Sequence, residues 1–193
     1  MALTIVTEPA AEPIDAEEAR EHLRLDLTLE DALLDGLITA ARRKVEELTA
    51  RGLMTQTWEL RLDSFPTTIY VPLSPLDATA PITSIKYVDT EGVEQTLAAA
   101  NYTVDRYSEP GRIVPAYGLS WPSTRAVPNA VTVQFKVGYG EADDVPEAIK
   151  LAIKQLLAHW YENREPVSIG SAAIAEIPLT MAALLSPYMR PTL

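Results

Sequence analysis

Residues 131–137 read Val-Thr-Val-Gln-Phe-Lys-Val, a strict apolar/polar alternation that suits a half-buried strand. Elsewhere the period changes. Leu29, Leu33, Leu37, Ala41, Val45 and Leu48 recur every three or four positions, the spacing of one helix face. The two periods occupy separate stretches: residues 15 to about 50 and 146–163 read helical, and 55 to about 138 read as strands and turns. Such segregation predicts an α+β fold. The expected form is a helical bundle, two N-terminal helices plus a long C-terminal helix, with an inserted small β-rich domain and an extended C-terminal tail. The expected segments are 1–52 (N-terminal helices), 53–140 (β-rich insert), 141–166 (the long helix completing the bundle) and 167–193 (a C-terminal segment). A length of 193 residues fits one domain, or one domain with an appendage.

The first helix is expected to start at Asp15, with Glu18 three residues on in a capping-box arrangement, and to run to about Leu25. Thr28 offers a second cap, with Asp31 at its third position. Leu34 and Ile38 lie beside the stripe of the second helix and widen it. A stripe this wide covers more than one neighbour, either within the chain or in another subunit. Arg42, Arg43 and Lys44 fall late in the helix, where cations suit the macrodipole, and Gly52 is a plausible stop.

In the middle region Trp58, Leu60 and Leu62 alternate with charged residues. Ile69–Val71 and Ile82–Val88 are further strands. Asp89-Thr90-Glu91-Gly92 is a turn from which Val93–Leu97 returns as a hairpin partner. Tyr102–Val104 and Arg112–Val114 are shorter candidates. The chain has 15 prolines against 8 glycines, and those between 66 and 128 favour short, edge-rich strands. Pro146 begins the last long helix, whose apolar face is Ile149, Ala152, Ile153, Leu156, Leu157 and Trp160, with Glu147, Lys150 and Lys154 largely off it. A small-residue linker, Val167 to Ala175, leads to a brief helical pattern holding Met181, Leu184 and Leu185.

Sixteen Lys and Arg against 27 Asp and Glu leave a net charge of −11, a poor balance for general DNA binding. The chain has no cysteine, so no disulfide, thiol nucleophile or Cys-based zinc site is available, and two histidines cannot make a three-His site. No apolar run approaches the ~20 residues of a membrane helix, and the N-terminus lacks the features of a signal peptide. Gly138-Tyr139-Gly140 lacks the third glycine of a dinucleotide fingerprint and reads as a strand-to-helix turn. Gly118-Leu119-Ser120-Trp121-Pro122 misses the second glycine of a nucleophile elbow. His22 sits on a solvated face, and His159, beside Trp160, reads as a packing residue. Asp143-Asp144 reads as helix capping. Tyr70, Tyr87, Tyr102, Tyr107, Tyr117 and Tyr139 read as cross-strand packing, because basic residues are too sparse around them for nucleic-acid stacking. No catalytic residue, cofactor or metal is expected.

An ordered series of motifs runs through the chain: Glu21-His22-Leu23-Arg24-Leu25, Ala40-Ala41-Arg42, Gln56-Thr57-Trp58-Glu59, Phe65-Pro66, Ile85-Lys86-Tyr87-Val88-Asp89, Trp121-Pro122, Val137-Gly138-Tyr139-Gly140, Val145-Pro146, His159-Trp160-Tyr161-Glu162-Asn163-Arg164-Glu165 and Leu184-Leu185-Ser186-Pro187-Tyr188. The series resembles the head–tail connector (adaptor, head-completion) proteins of bacteriophages, in the branch with a β-rich insert between the helices, and their relatives in prophages and gene transfer agents. The resemblance implies a non-enzymatic virion protein of the neck, assembled in the host bacterial cytoplasm. It implies a ring, commonly a dodecamer, beneath the portal protein. The ring would extend the channel for double-stranded DNA without binding it specifically, and would dock stopper or tail-completion proteins. No membrane partner is implied. Leu184, Leu185, Pro187, Tyr188 and Arg190 would bind the portal, although Met189 separates Tyr188 from Arg190 where the family's ending is tighter. Leu34, Ile38, Leu151, Ala158 and Arg164 are the expected subunit-interface residues. The alternatives are another neck or tail-completion protein, or a small soluble α+β hydrolase.

Overall fold

The computed structural model describes residues 1–25, 30–163 and 179–189. Thr28, Leu29, Arg164, Arg190 and the 167–175 linker therefore lie outside the described residues. The chain is α+β, with helices α1 (Ala16–Leu23), α2 (Asp31–Thr49), α3 (Glu147–Glu162) and α4 (Leu179–Leu185). Its strands are β1 (Ala2–Thr7), β2 (Gln56–Leu62), β3 (Ile69–Val71), β4 (Ile82–Val88), β5 (Glu94–Thr96), β6 (Tyr102–Asp105), β7 (Gly111–Pro115) and β8 (Val131–Val137). Cα packing divides the chain into two compact units, Met1–Ala10 with Met54–Tyr139, and Ala11–Leu53 with Gly140–Leu193.

The first unit holds two antiparallel sheets, one in the order β1-β2-β8-β4-β5 and one in the order β3-β7-β6. The 131–137 alternation is realised in full: Val131, Val133, Phe135 and Val137 are buried while Thr132, Gln134 and Lys136 are partly exposed. β8 lies at the centre of its sheet, and Ile69, Val71 and Ile113 of the smaller sheet join its inner face in one core. The β4–β5 hairpin turns where expected. The Asp89 carboxylate accepts the backbone N–H groups of Glu91 and Val93, and Gly92 takes a φ of 92°.

β1 is a correction to the expected 1–52 helical segment. Residues 2–7 pair with β2, Ala2 opposite Arg61 and Ile5 opposite Trp58. No turn signal announces this strand, because its partner lies some fifty residues down the chain.

In the second unit α1 carries the expected cap. Asp15 accepts the Glu18 N–H at 2.8 Å, and the Glu18 carboxylate accepts the Asp15 N–H. α2 ends earlier than Gly52. Ala50 adopts the left-handed conformation (φ 52°) and donates its N–H to the Glu46 carbonyl. α1 packs on α2 and α3, α2 on α3, and α4 on α3. Lys150, expected off the apolar face of α3, is buried and reaches Glu147 at 3.2 Å; its aliphatic stem covers apolar surface while the ammonium finds a carboxylate.

Candidate assembly surfaces

The helical unit is tied together by a buried cation. Arg42 is 2% exposed. Its Nε donates to Glu12 at 2.7 Å and its Nη1 to Glu46 at 2.8 Å. Thr39 donates its hydroxyl to the other Glu12 oxygen at 2.8 Å, and the Leu53 N–H donates to Glu46 at 2.9 Å. Burial works against the charge of Arg42, but the hydrogen bonds and charges of Glu12 and Glu46 outweigh it and hold the guanidinium above its ordinary pKa. Arg42 is therefore not one of three dipole-compensating cations, as its sequence position implied. It lies on the buried face between Ile38 and Val45, with Glu46 one turn on. That pattern is the sequence signal for an internal ion pair.

The surface left by α2 differs from expectation. Leu34, Ile38, Ala41 and Val45 are buried, whereas Leu33 is 42% exposed and Ala40 is exposed. Leu34 and Ile38, expected at a subunit interface, thus have their apolar surface already covered within one chain. The surplus lies on the Leu33–Ala40 flank. Of the other expected interface residues, Leu151 is 40% exposed and Ala158 partly exposed on α3. An open groove of about 480 Å³ runs along α2, lined by Gly36, Thr39, Ala40, Arg43, Lys44 and Glu47 with Trp160 of α3.

The expected portal-binding residues divide in the same way. Leu185 is buried with Met181 where α4 packs on α3, while Leu184 and Tyr188 are half-buried and Pro187 is exposed. The Tyr188 carbonyl accepts from Arg51 Nε at 2.9 Å, and the Met189 N–H donates to the Leu185 carbonyl at 3.0 Å, so the segment is folded back on its own helical unit.

The strand unit carries a polar hub and an aromatic surface. Asp105 accepts from the Ser108 hydroxyl at 2.7 Å, from Arg112, and from the Tyr107 and Ser108 amides. The Ser108 hydroxyl, then Arg112, hold its carboxyl far below the usual carboxylate range. Trp121 stacks on Phe65 (centroids 4.8 Å apart, planes 7° apart), and Phe65 meets Tyr87 edge-on. Tyr87 and Tyr102 pack against the sheet core as expected, but Tyr70, Tyr107 and Tyr117 are exposed. The sequence expectation that all six tyrosines pack across strands is corrected for those three.

Charge is unevenly shared. The strand unit has six Lys and Arg against nine Asp and Glu, a net −3, and the helical unit ten against eighteen, a net −8. Among the described residues no group of three His, Cys, Asp or Glu is placed to hold a metal, and no helix is long and apolar enough to cross a membrane.

The described residues thus form two packed units, one of strands and one of helices, the second with an exposed apolar flank and a folded-back terminal helix. The chain belongs to the Head completion protein family, whose model matches residues 12–176. No curated protein matches it significantly. It is similar to a chain in the neck of an empty gene transfer agent particle computed with C6 symmetry (TM-score 0.80, 27% identity) and to one in the neck of a native particle computed with C12 symmetry (TM-score 0.78, 27% identity). A third similar chain comes from the virion of a native gene transfer agent particle (TM-score 0.80, 26% identity). Each match covers 100% of this chain and 97% of the other. The family and these neighbours are structural virion proteins of bacteriophage and gene transfer agent particles.

Proposed function

We propose that this protein is a head–tail connector adaptor of the virion neck, a helical bundle interrupted by a β-rich insert. Its copies form a ring, twelve in the particle, beneath the portal. The ring extends the DNA channel and docks stopper or tail-completion proteins. The observation that carries this reading is the full-length similarity, at 27% identity, to a subunit found in a C12-symmetric neck. The charge distribution supports it. Helical units of net −8 facing a channel would repel the phosphate backbone and leave the DNA free to slide.

Within this reading the C-terminal segment binds the portal. Leu184, Pro187 and Tyr188 keep exposed surface for the contact, Arg190 follows them, and Leu185 anchors α4 to its own α3. Leu151 and Ala158 lie toward neighbouring copies, Leu34 and Ile38 support the interface from beneath, and Arg164, which follows α3 in the sequence, is the further interface candidate. Cryo-electron microscopy of particles carrying the tagged chain tests the assignment. A ring of tagged subunits directly below the portal is the expected result. Tag density elsewhere in the tail, or a single copy per particle, would refute it.

A further inference from the structure

A closed ring needs two different surfaces of one chain that fit each other, because each contact is head-to-tail. The helical unit presents such a pair. On α2 the groove floor is Gly36 and Ala40, with Arg43 and Lys44 one to two turns further on. Beyond the backbone of its own helix and its two chain neighbours, nothing lies within 4 Å of the position a Gly36 Cβ would take, so the trough is open at that point. On α3, Glu147 and Leu151 are four residues apart on one face, Leu151 is an exposed apolar knob, and the Glu147 side chain is 84% exposed.

We infer that Leu151 of one copy seats over Gly36 and Ala40 of the next, with α3 antiparallel to the neighbouring α2, and that Glu147 meets Arg43 and Lys44. This rests on the ring reading and names the lateral contact within it. Spacing decides the direction. Four residues of α3 separate Glu147 from Leu151, about 6 Å, and a similar rise separates the trough from Arg43 and Lys44. In the antiparallel arrangement the carboxylate reaches the cations, whereas in the parallel one Gln155 and Ala158 would. The charges are opposite in sign, and the small floor lets two helices approach closely. Lys44 now sits in an exposed i,i+3 pair with Glu47 at 3.1 Å, a weak contact that is readily exchanged, and the exposed Glu147 carboxylate can meet a neighbour's cations while it stays on the buried Lys150 of its own helix.

Native mass spectrometry and light scattering of the full chain, alone and with portal-bearing particles, test the contact. Gly36→Gln puts a side chain into the trough at a position where a Cβ meets nothing, and replaces a poor helix former. It should raise the melting temperature while weakening self-association about tenfold or more. Glu147→Lys should also weaken the ring, and adding Lys44→Glu to it should recover much of the loss. If wild-type chains form rings and Gly36→Gln forms them equally well, or if the charge exchange recovers nothing, this contact is wrong while the ring stands. If the wild type forms no ring even on portal-bearing particles, the ring reading fails and takes the contact with it.

Discussion

Glu12 Oε2 lies 2.7 Å from Arg42 Nε across thirty residues of chain, and fixes the segment ahead of α1 against the buried face of α2. Arg42 is almost fully enclosed, so removing one partner leaves charge without compensation. Arg42→Met removes the cation between two carboxylates, leaving Glu12 with the Thr39 hydroxyl and Glu46 with the Leu53 amide, and should lower stability by about 3 kcal/mol. Glu12→Gln keeps the Glu46 contact and should cost about 1–2 kcal/mol. Urea denaturation of the two variants measures both. Equal and negligible losses would mean that the pair contributes no net stability.

The pairing also marks what could be read from the residues. Periodicity located the strands of the middle region, because alternation and burial are the same fact seen twice: Leu60, Val133 and Phe135 are buried where the pattern requires. It located α1 because Asp15 and Glu18 form a local cap. It failed where the deciding partner is distant. β1 depends on β2, and the role of Arg42 depends on Glu12. It misjudged α2 because nine apolar residues spread around a helix do not say which flank meets the core. The described tail residues pack on α3 through Met181 and Leu185, a choice that proline spacing does not encode.

α4 is held by those two side chains. Leu185→Ala should remove about 2–4 kcal/mol of local packing and release the helix. Hydrogen exchange should show lost protection at the Ser186, Tyr188 and Met189 amides, whose acceptors are the Ala182 and Leu185 carbonyls. Pro187→Ala should change stability by less than about 0.5 kcal/mol, since Pro187 is exposed. If the same substitution weakens pull-down by portal protein, the two roles are separated. Unchanged exchange in Leu185→Ala would show that the α4 dock does not depend on this contact.

Two glycines should respond with opposite sign to the same substitution. Gly138 has a φ of 135°, and a Cβ there would run into the Met54 carbonyl. Gly138→Ala should therefore cost about 3 kcal/mol or more, because strain and clash add. Gly36→Ala, on the open side of α2, should stabilise by about 1 kcal/mol. Thermal denaturation of the pair checks both at once. A neutral Gly138→Ala would mean that the strand-to-helix turn re-forms without the left-handed residue.

The Asp105 hub makes stability depend on pH in one direction. Its carboxyl is ionised in the fold well below the ~3.9 of an unfolded aspartate, held there by the Ser108 hydroxyl, Arg112 and two amides. A lowered folded pKa contributes stability that is fully present above the unfolded value. The contribution shrinks as pH falls through about 4 and is lost only below the folded value. The gap in urea midpoint between wild type and Asp105→Asn should therefore be constant from about pH 8 to 5 and narrow below about pH 4. The Asp105 carboxyl carbon should show no titration step near the ~3.9 of an unfolded aspartate in NMR. A step near 4 at Asp105, or a gap that widens on acidification, would show that the β6–β7 hub does not hold the charged form.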